Sequence, residues 1–154
     1  MRAIRRSEEF ENLVQKLGNT EHPVTKKSLF PTIRDVICFA GILGFEHDSR
    51  KPLSSNTNEV DARIWSNSQQ ALDLVYLIAL ASEKDGEILR EENEDKMVQI
   101  FEEYAQGGLE IVESWMKQSP FDQNGDQALL VAFKAHGFLD QSTDSEIAIP
   151  DISF

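Results

Sequence analysis

The stretch KMVQIFEEYAQGGLEIVESWM, residues 96–116, carries apolar side chains at a helical period on both sides of a glycine pair. Met97, Ile100, Phe101, Tyr104 and Ala105 repeat every three or four positions; Leu109, Val112, Trp115 and Met116 then resume the rhythm. That spacing lines one face of an α-helix and does not fit a strand. Gly107 and Gly108 interrupt it. A glycine in a helix interior costs about 1 kcal/mol relative to alanine. Two readings stay open: two helices meeting at the pair, or one long helix weakened there. The glycines would also let another backbone approach closely. Asn93 reads as the cap and Pro120 as the stop.

Working outward, the same period recurs. In FPTIRDVICFAGILGFEHDSRKPL (30–53), Thr32 and Asp35 form a capping-box-like pair with Asp in place of Glu. Ile33, Val36, Ile37, Ala40 and Leu43 make one face, and Phe39 and Ile42 widen it. Gly44 reads as the glycine just past the helix end. QQALDLVYLIALASEKDG (69–86) is apolar nearly all round, which predicts a central helix capped by Ser66 or Ser68 and running to Gly86. Ser7, followed by Glu8 and Glu9, predicts the start of a helix over about residues 8–17. Residues 18–29 read as loop. EVDARIWS (59–66) alternates weakly, as a short strand or an ordered loop with Ile64 and Trp65 turned inward. QALLVAFKAHGFLD (127–140) is a last helix closed by Gly137. The expected fold is mainly α: a single compact helical domain of about five to six helices over residues 1–139, with little or no sheet. Residues 140–154 read as an acidic tail, disordered or able to add a strand to a partner.

A chain of 154 residues can bury a hydrophobic core without metal or disulfide. The single cysteine, Cys38, has Ile37, Phe39 and Ala40 around it and reads as a buried small hydrophobe. No stretch approaches a membrane span, and the start carries no secretory signal. A soluble protein of a reducing, cytoplasmic compartment fits. The net charge of −12 is uneven. Residues 1–51 hold nine Lys/Arg and seven Asp/Glu, whereas residues 52–154 hold six and twenty. Nucleic acid would therefore meet the first third, and the remainder suits a basic protein partner.

No motif reads as an active site. DQNGDQ sets Asp122, Asn124 and Asp126 at alternate positions like the start of a calcium loop. The loop then needs Gly and Glu where Gln127 and Phe133 stand, so a helix-capping turn explains it. His47-Asp48 lacks further ligands at metal spacing, and a solvated elbow is the plain reading. A metal-dependent nuclease using Asp48 is the enzymatic alternative. Glu91, Glu92, Glu94, Asp95, Glu102 and Glu103 read as the wet face of a helix. No catalytic residue, metal site or cofactor is expected. The contact candidates are Arg5, Arg6, Lys26, Lys27, Arg34, His47, Arg50 and Lys51. Arg34 stands in a helix first turn, against the dipole's preference for anions. It either pairs with Asp35 or another carboxylate, or joins Arg50 and Lys51 in a patch for phosphate or an acidic surface.

The 30–53 stretch, IWSNSQQALDLVYLIALA and IFEEYAQGGLEIVESWM, in this order, resemble the Dnd (DNA phosphorothioation) system-associated protein 4 family. The likeness spans about residues 8–117, short of the extension after Pro120. It rests on the Arg-Asp helix start, the Phe/Ala/Gly pattern and the Glu-Tyr-Ala-x-Gly-Gly-Leu-Glu run, none a catalytic signature. It implies a bacterial cytoplasmic protein working with DNA modification or anti-phage defence, in systems that replace a backbone phosphate oxygen with sulfur and restrict unmarked DNA. It brings no active residues. The residues and the resemblance together give a non-enzymatic accessory subunit that meets protein subunits of a modification or restriction complex. A DNA-binding module using the basic first third is the alternative, and a homo-oligomer would gather several such patches into one positive surface.

Overall fold

Thr32 starts the helix over residues 33–46. Its Oγ1 accepts the Asp35 N–H at 3.2 Å and donates to the Asp35 carboxylate at 2.8 Å, the capping pair expected from the spacing. The computed structural model describes residues 1–139. The tail assigned to 140–154 lies outside the described residues. Within them the chain forms β1 (Ile4–Ser7), α1 (Glu11–Gly18), α2 (Ile33–Glu46), β2 (Thr57–Val60), α3 (Ala62–Ser66), α4 (Gln69–Glu83), α5 (Glu94–Lys117) and α6 (Asp126–Ala135). Six α-helices and one two-stranded sheet make the fold mainly α. The two strands run antiparallel, with Ile4 opposite Val60 and Ser7 opposite Thr57.

Residues 94–117 are one unbroken helix, so the glycine pair does not divide them. α2 lies directly against α5, and the glycines are what permits it. A Cβ on Gly108 would overlap the Ala40 carbonyl oxygen, and one on Gly44 the Tyr104 carbonyl oxygen. Gly44 therefore sits inside α2, which runs on to Glu46, and does not terminate it. The role expected of it as a stop is corrected: close backbone approach outweighs its helix-breaking tendency.

Around this pair the core closes. Trp65 and Phe101, both fully buried, meet edge to face with ring centroids 5.6 Å apart. Burying each large apolar side chain contributes roughly 1.5–3 kcal/mol. Trp65 is turned inward as its sequence suggested, but on the short helix α3; Ile64 stays 45% exposed. α4 is capped by Ser68, whose side chain accepts from Ala71 N, and it ends at Glu83 before Gly86. It is not the central helix: Leu77 is 61% exposed, and α5 takes that place with fourteen buried residues.

The N-terminal reading needs one more correction. Ser7 is the last residue of β1 and makes no cap; its buried hydroxyl accepts the Ser54 N–H at 2.9 Å. A short 3-10 turn, Glu8–Phe10, then leads into α1. Pairing with a strand fifty residues away outweighed the local helix-start signal. Asn93 likewise caps nothing with its side chain.

Candidate functional site

The basic side chains of the first third are mostly taken by the chain's own carboxylates. Glu102 of α5 is buried and accepts Arg2 Nη1 and Nη2 at 2.5 and 2.9 Å, the Arg5 backbone N–H at 2.7 Å and Arg5 Nη2 at 3.2 Å. The hydrogen bond to Glu102 holds the Arg2 guanidinium above its usual pKa, although burial lowers it. Glu102 had read as part of the wet face; it is instead the anchor of β1 on α5. No local signal marks it, because its partners lie about a hundred positions away. Arg6 is buried and donates to Glu11 through Nε and Nη2. Arg50 donates to Glu103 at 2.5 Å, faces Glu83 at 3.8 Å and sits 5.9 Å over the Tyr104 ring.

Arg34 reaches Asp35 at 3.7 Å and donates to the Ile64 carbonyl at 2.9 Å. It stands at the opposite end of α2 from Arg50 and Lys51. A helix of that length spans about 20 Å, so one chain does not bring the three into one patch. Lys26 and Lys27 lie in an exposed turn closed by His22, and Lys51 follows α2. These three ammonium groups make no ion pair among the described residues. His47 Nδ1 lies 3.0 Å from the Leu43 carbonyl, and its ring is 5.6 Å from that of His136.

Among the described residues no three His, Cys, Asp or Glu side chains stand close enough to share a metal ion. Asp122 is spent on N–H groups of Asn124, Gly125 and Ala128, which makes DQNGDQ the capping turn of α6. Cys38 is half-buried, and burial pushes its thiol up to about 12.

An apolar groove lies between α2 and α6. Phe39, Ile42 and Leu43 form one wall, and Phe133, Phe138 and Leu139 the other. It encloses about 560 Å³, enough to seat several apolar side chains of another chain. Phe39 and Phe133 meet edge to face at its floor, with centroids 5.9 Å apart. Ile42, counted from its spacing into the buried face, is 50% exposed here, and Phe138 is 49% exposed. Among the described residues, Glu46 is the one charged side chain on the lining. The sequence did not single out this groove. Phe138 and Leu139, apolar residues beyond the Gly137 stop, were the available signal.

A family model described as DNA sulphur modification system-associated protein 4 matches residues 3–148. That carries the likeness through the segment after Pro120. No curated protein and no solved structure matches the chain. No helix among the described residues is long and apolar enough to cross a membrane.

Proposed function

The chain belongs to the DNA sulphur modification system-associated protein 4 family, and from that premise we propose that it is a non-enzymatic accessory subunit acting through protein–protein contacts. The observation that carries this reading is the α2/α6 groove, an apolar surface with half-exposed Ile42 and Phe138 at its rim. Its occupant is an apolar segment flanked by lysine or arginine, contributed by a protein subunit of the same modification or restriction system. The choice of a basic partner follows from charge. Residues 52–154 carry twenty Asp/Glu against six Lys/Arg, and among the described residues the charge on the groove's lining is Glu46. The setting is a cytoplasmic DNA-defence complex.

The test uses the purified chain and each purified subunit of the host's own system, after nuclease treatment. One subunit is expected to bind, more weakly at high salt, and Ile42→Asp is expected to reduce the affinity at least tenfold. Ile42 is half exposed, so this variant is expected to melt near the parent, which thermal unfolding checks. Absence of binding to any subunit, or equal binding by Ile42→Asp, rejects the reading.

DNA binding is the second reading, favoured by the ammonium groups of Lys26, Lys27 and Lys51, which make no ion pair among the described residues. A steep fall of DNA affinity with salt, reduced in Lys26→Glu and Lys51→Glu, supports it. A homo-oligomer would bring copies of these lysines together.

A further inference from the structure

At the end of α6 the chain turns back and enters the α2/α6 groove. The Gly137 N–H donates to the Lys134 carbonyl at 3.4 Å and the Phe138 N–H to the Phe133 carbonyl at 2.9 Å. Gly137 has a φ of 76°. These two bonds and the left-handed glycine make a Schellman motif, with its usual apolar contact across the turn. Here that contact sets Phe138 on Phe133, ring centroids 5.9 Å apart. Leu139 follows on the same wall of the groove. Both residues after the turn therefore run along the groove, and the chain that continues from Leu139 starts inside it.

The sequence after Leu139 has two parts. Residues 140–146, DQSTDSE, are polar throughout. Residues 147–154, IAIPDISF, then carry Ile147, Ile149, Ile152 and Phe154 at alternate positions on either side of Pro150. A polar spacer of that length has an end-to-end distance of about 15 Å. The exposed face of α2 is about 20 Å long. The spacer therefore lets the apolar run fold back over the groove without strain. A segment tethered so closely has an effective concentration in the millimolar range, so even a weak contact is occupied. The family model matches through residue 148 and takes in the whole spacer and the start of the apolar run.

We propose that residues 147–154 fold back into the α2/α6 groove of their own chain and compete there with the partner's apolar segment. Their side chains cover Ile42, Phe138 and Leu139, the apolar groups that the described residues leave about half exposed. Charge makes the contact displaceable. Residues 140–154 hold Asp140, Asp144, Glu146 and Asp151 and no lysine or arginine, and Glu46 lines the groove. The chain's own segment is held by apolar contact against like charge. A segment flanked by lysine or arginine gains the attraction that this one lacks, and takes its place. The competitor role rests on the protein-contact reading of the groove; the folding-back does not.

The test is methyl NMR on the full chain alone, with isotope-labelled isoleucine and leucine methyl groups. Ile149→Asp combined with Phe154→Asp is expected to shift the Ile42 and Leu139 signals. It should leave Ile4 and Ile88, which are buried and do not line the groove, in place. Conversely, Ile42→Asp is expected to move the Ile147, Ile149 and Ile152 signals to their positions in denaturant. Tenfold dilution of the parent should change nothing, because the contact lies within one chain. Groove signals that ignore the double variant overturn the proposal. So do parent signals that move on dilution, as a second copy's segment would make them. Where a subunit of the host's system binds, the double variant is expected to bind it about tenfold more tightly, since a groove filled about nine-tenths of the time leaves one-tenth competent. Unchanged or weaker binding overturns the competitor role. Absence of any binding subunit removes that role together with the protein-contact reading, while the methyl shifts still decide the folding-back.

Discussion

Glu102, in the first half of α5, takes both Nη atoms of Arg2 at 2.5 and 2.9 Å, while its side chain is 1% exposed. The pair ties the first strand to the central helix. Arg5 adds its backbone N–H and its guanidinium to the same carboxylate. Removing Glu102 takes the acceptor from the Arg5 N–H and both guanidiniums, but Arg2 is 29% and Arg5 42% exposed, so water recovers part of the loss and the cost is about 1–3 kcal/mol. Glu102→Ala is therefore expected to lose stability of that order in urea denaturation. Glu102→Gln keeps an acceptor oxygen and should lose less. A Glu102→Ala variant as stable as the parent would show that β1 does not depend on this anchor.

The second prediction concerns the contact between α2 and α5. Any side chain on Gly108 collides with the backbone of Ala40, which cannot move without shifting α2. Gly108→Ala is expected to lower stability by about 1–3 kcal/mol or more, as overpacking does. That opposes the gain of about 1 kcal/mol that alanine brings to a helix interior. Gly86 is the control, because a Cβ there meets nothing within 4 Å. Gly86→Ala should change stability by no more than about 0.5 kcal/mol. Equal melting temperatures for the two variants would contradict the close packing.

Cys38 gives a chemical test. Burial is the main cause that lifts its thiol to about 12; Asp35 adds to the rise and Arg34 opposes it. Thiolate is the reactive form, so at pH 8 the folded protein should react with iodoacetamide far more slowly than the same chain in denaturant. Comparable rates in both states would place the thiol in water and refute its burial.

How far the sequence could be read follows from which interactions are local. The Thr32–Asp35 cap, the Ser68 cap and the Asp122 turn each join residues within a few positions, and all three were legible. The two-stranded sheet was not. β1 pairs Ile4 with Val60, and neither segment alternates strongly enough to announce a strand. Glu102 was missed for the same reason: among five other carboxylates it looks like surface, and only Arg2 and Arg5 mark it. The contact candidates were legible as charges but not as partners. The structure engages Arg5, Arg6 and Arg50 internally and separates Arg34 from Arg50 by the length of α2. The groove needs both α2 and α6, which no single periodic stretch describes.

The last prediction is a pH dependence. Burial raises the Asp122 pKa, but the N–H groups of Ala128, Gly125 and Asn124 outweigh it and hold the carboxyl below its ordinary range. The unfolded chain, with an Asp near about 3.9, takes up the proton first as pH falls. The stabilisation is therefore complete above that value and is lost as pH drops through the lower folded one. α6, whose first turn Asp122 caps, should loosen in that window, and the protection of the Ala128 amide, measured against its intrinsic exchange rate at each pH, should fall. Glu11 behaves alike, since Gln15, Asn58 and Arg6 outweigh the burial that raises it. A variant separates the two. Asp122→Asn cannot titrate, so it should show fast Ala128 exchange already at neutral pH and little further change on acidification. If the parent protects that amide equally at pH 7 and pH 3, the Asp122 carboxylate does not hold the start of α6.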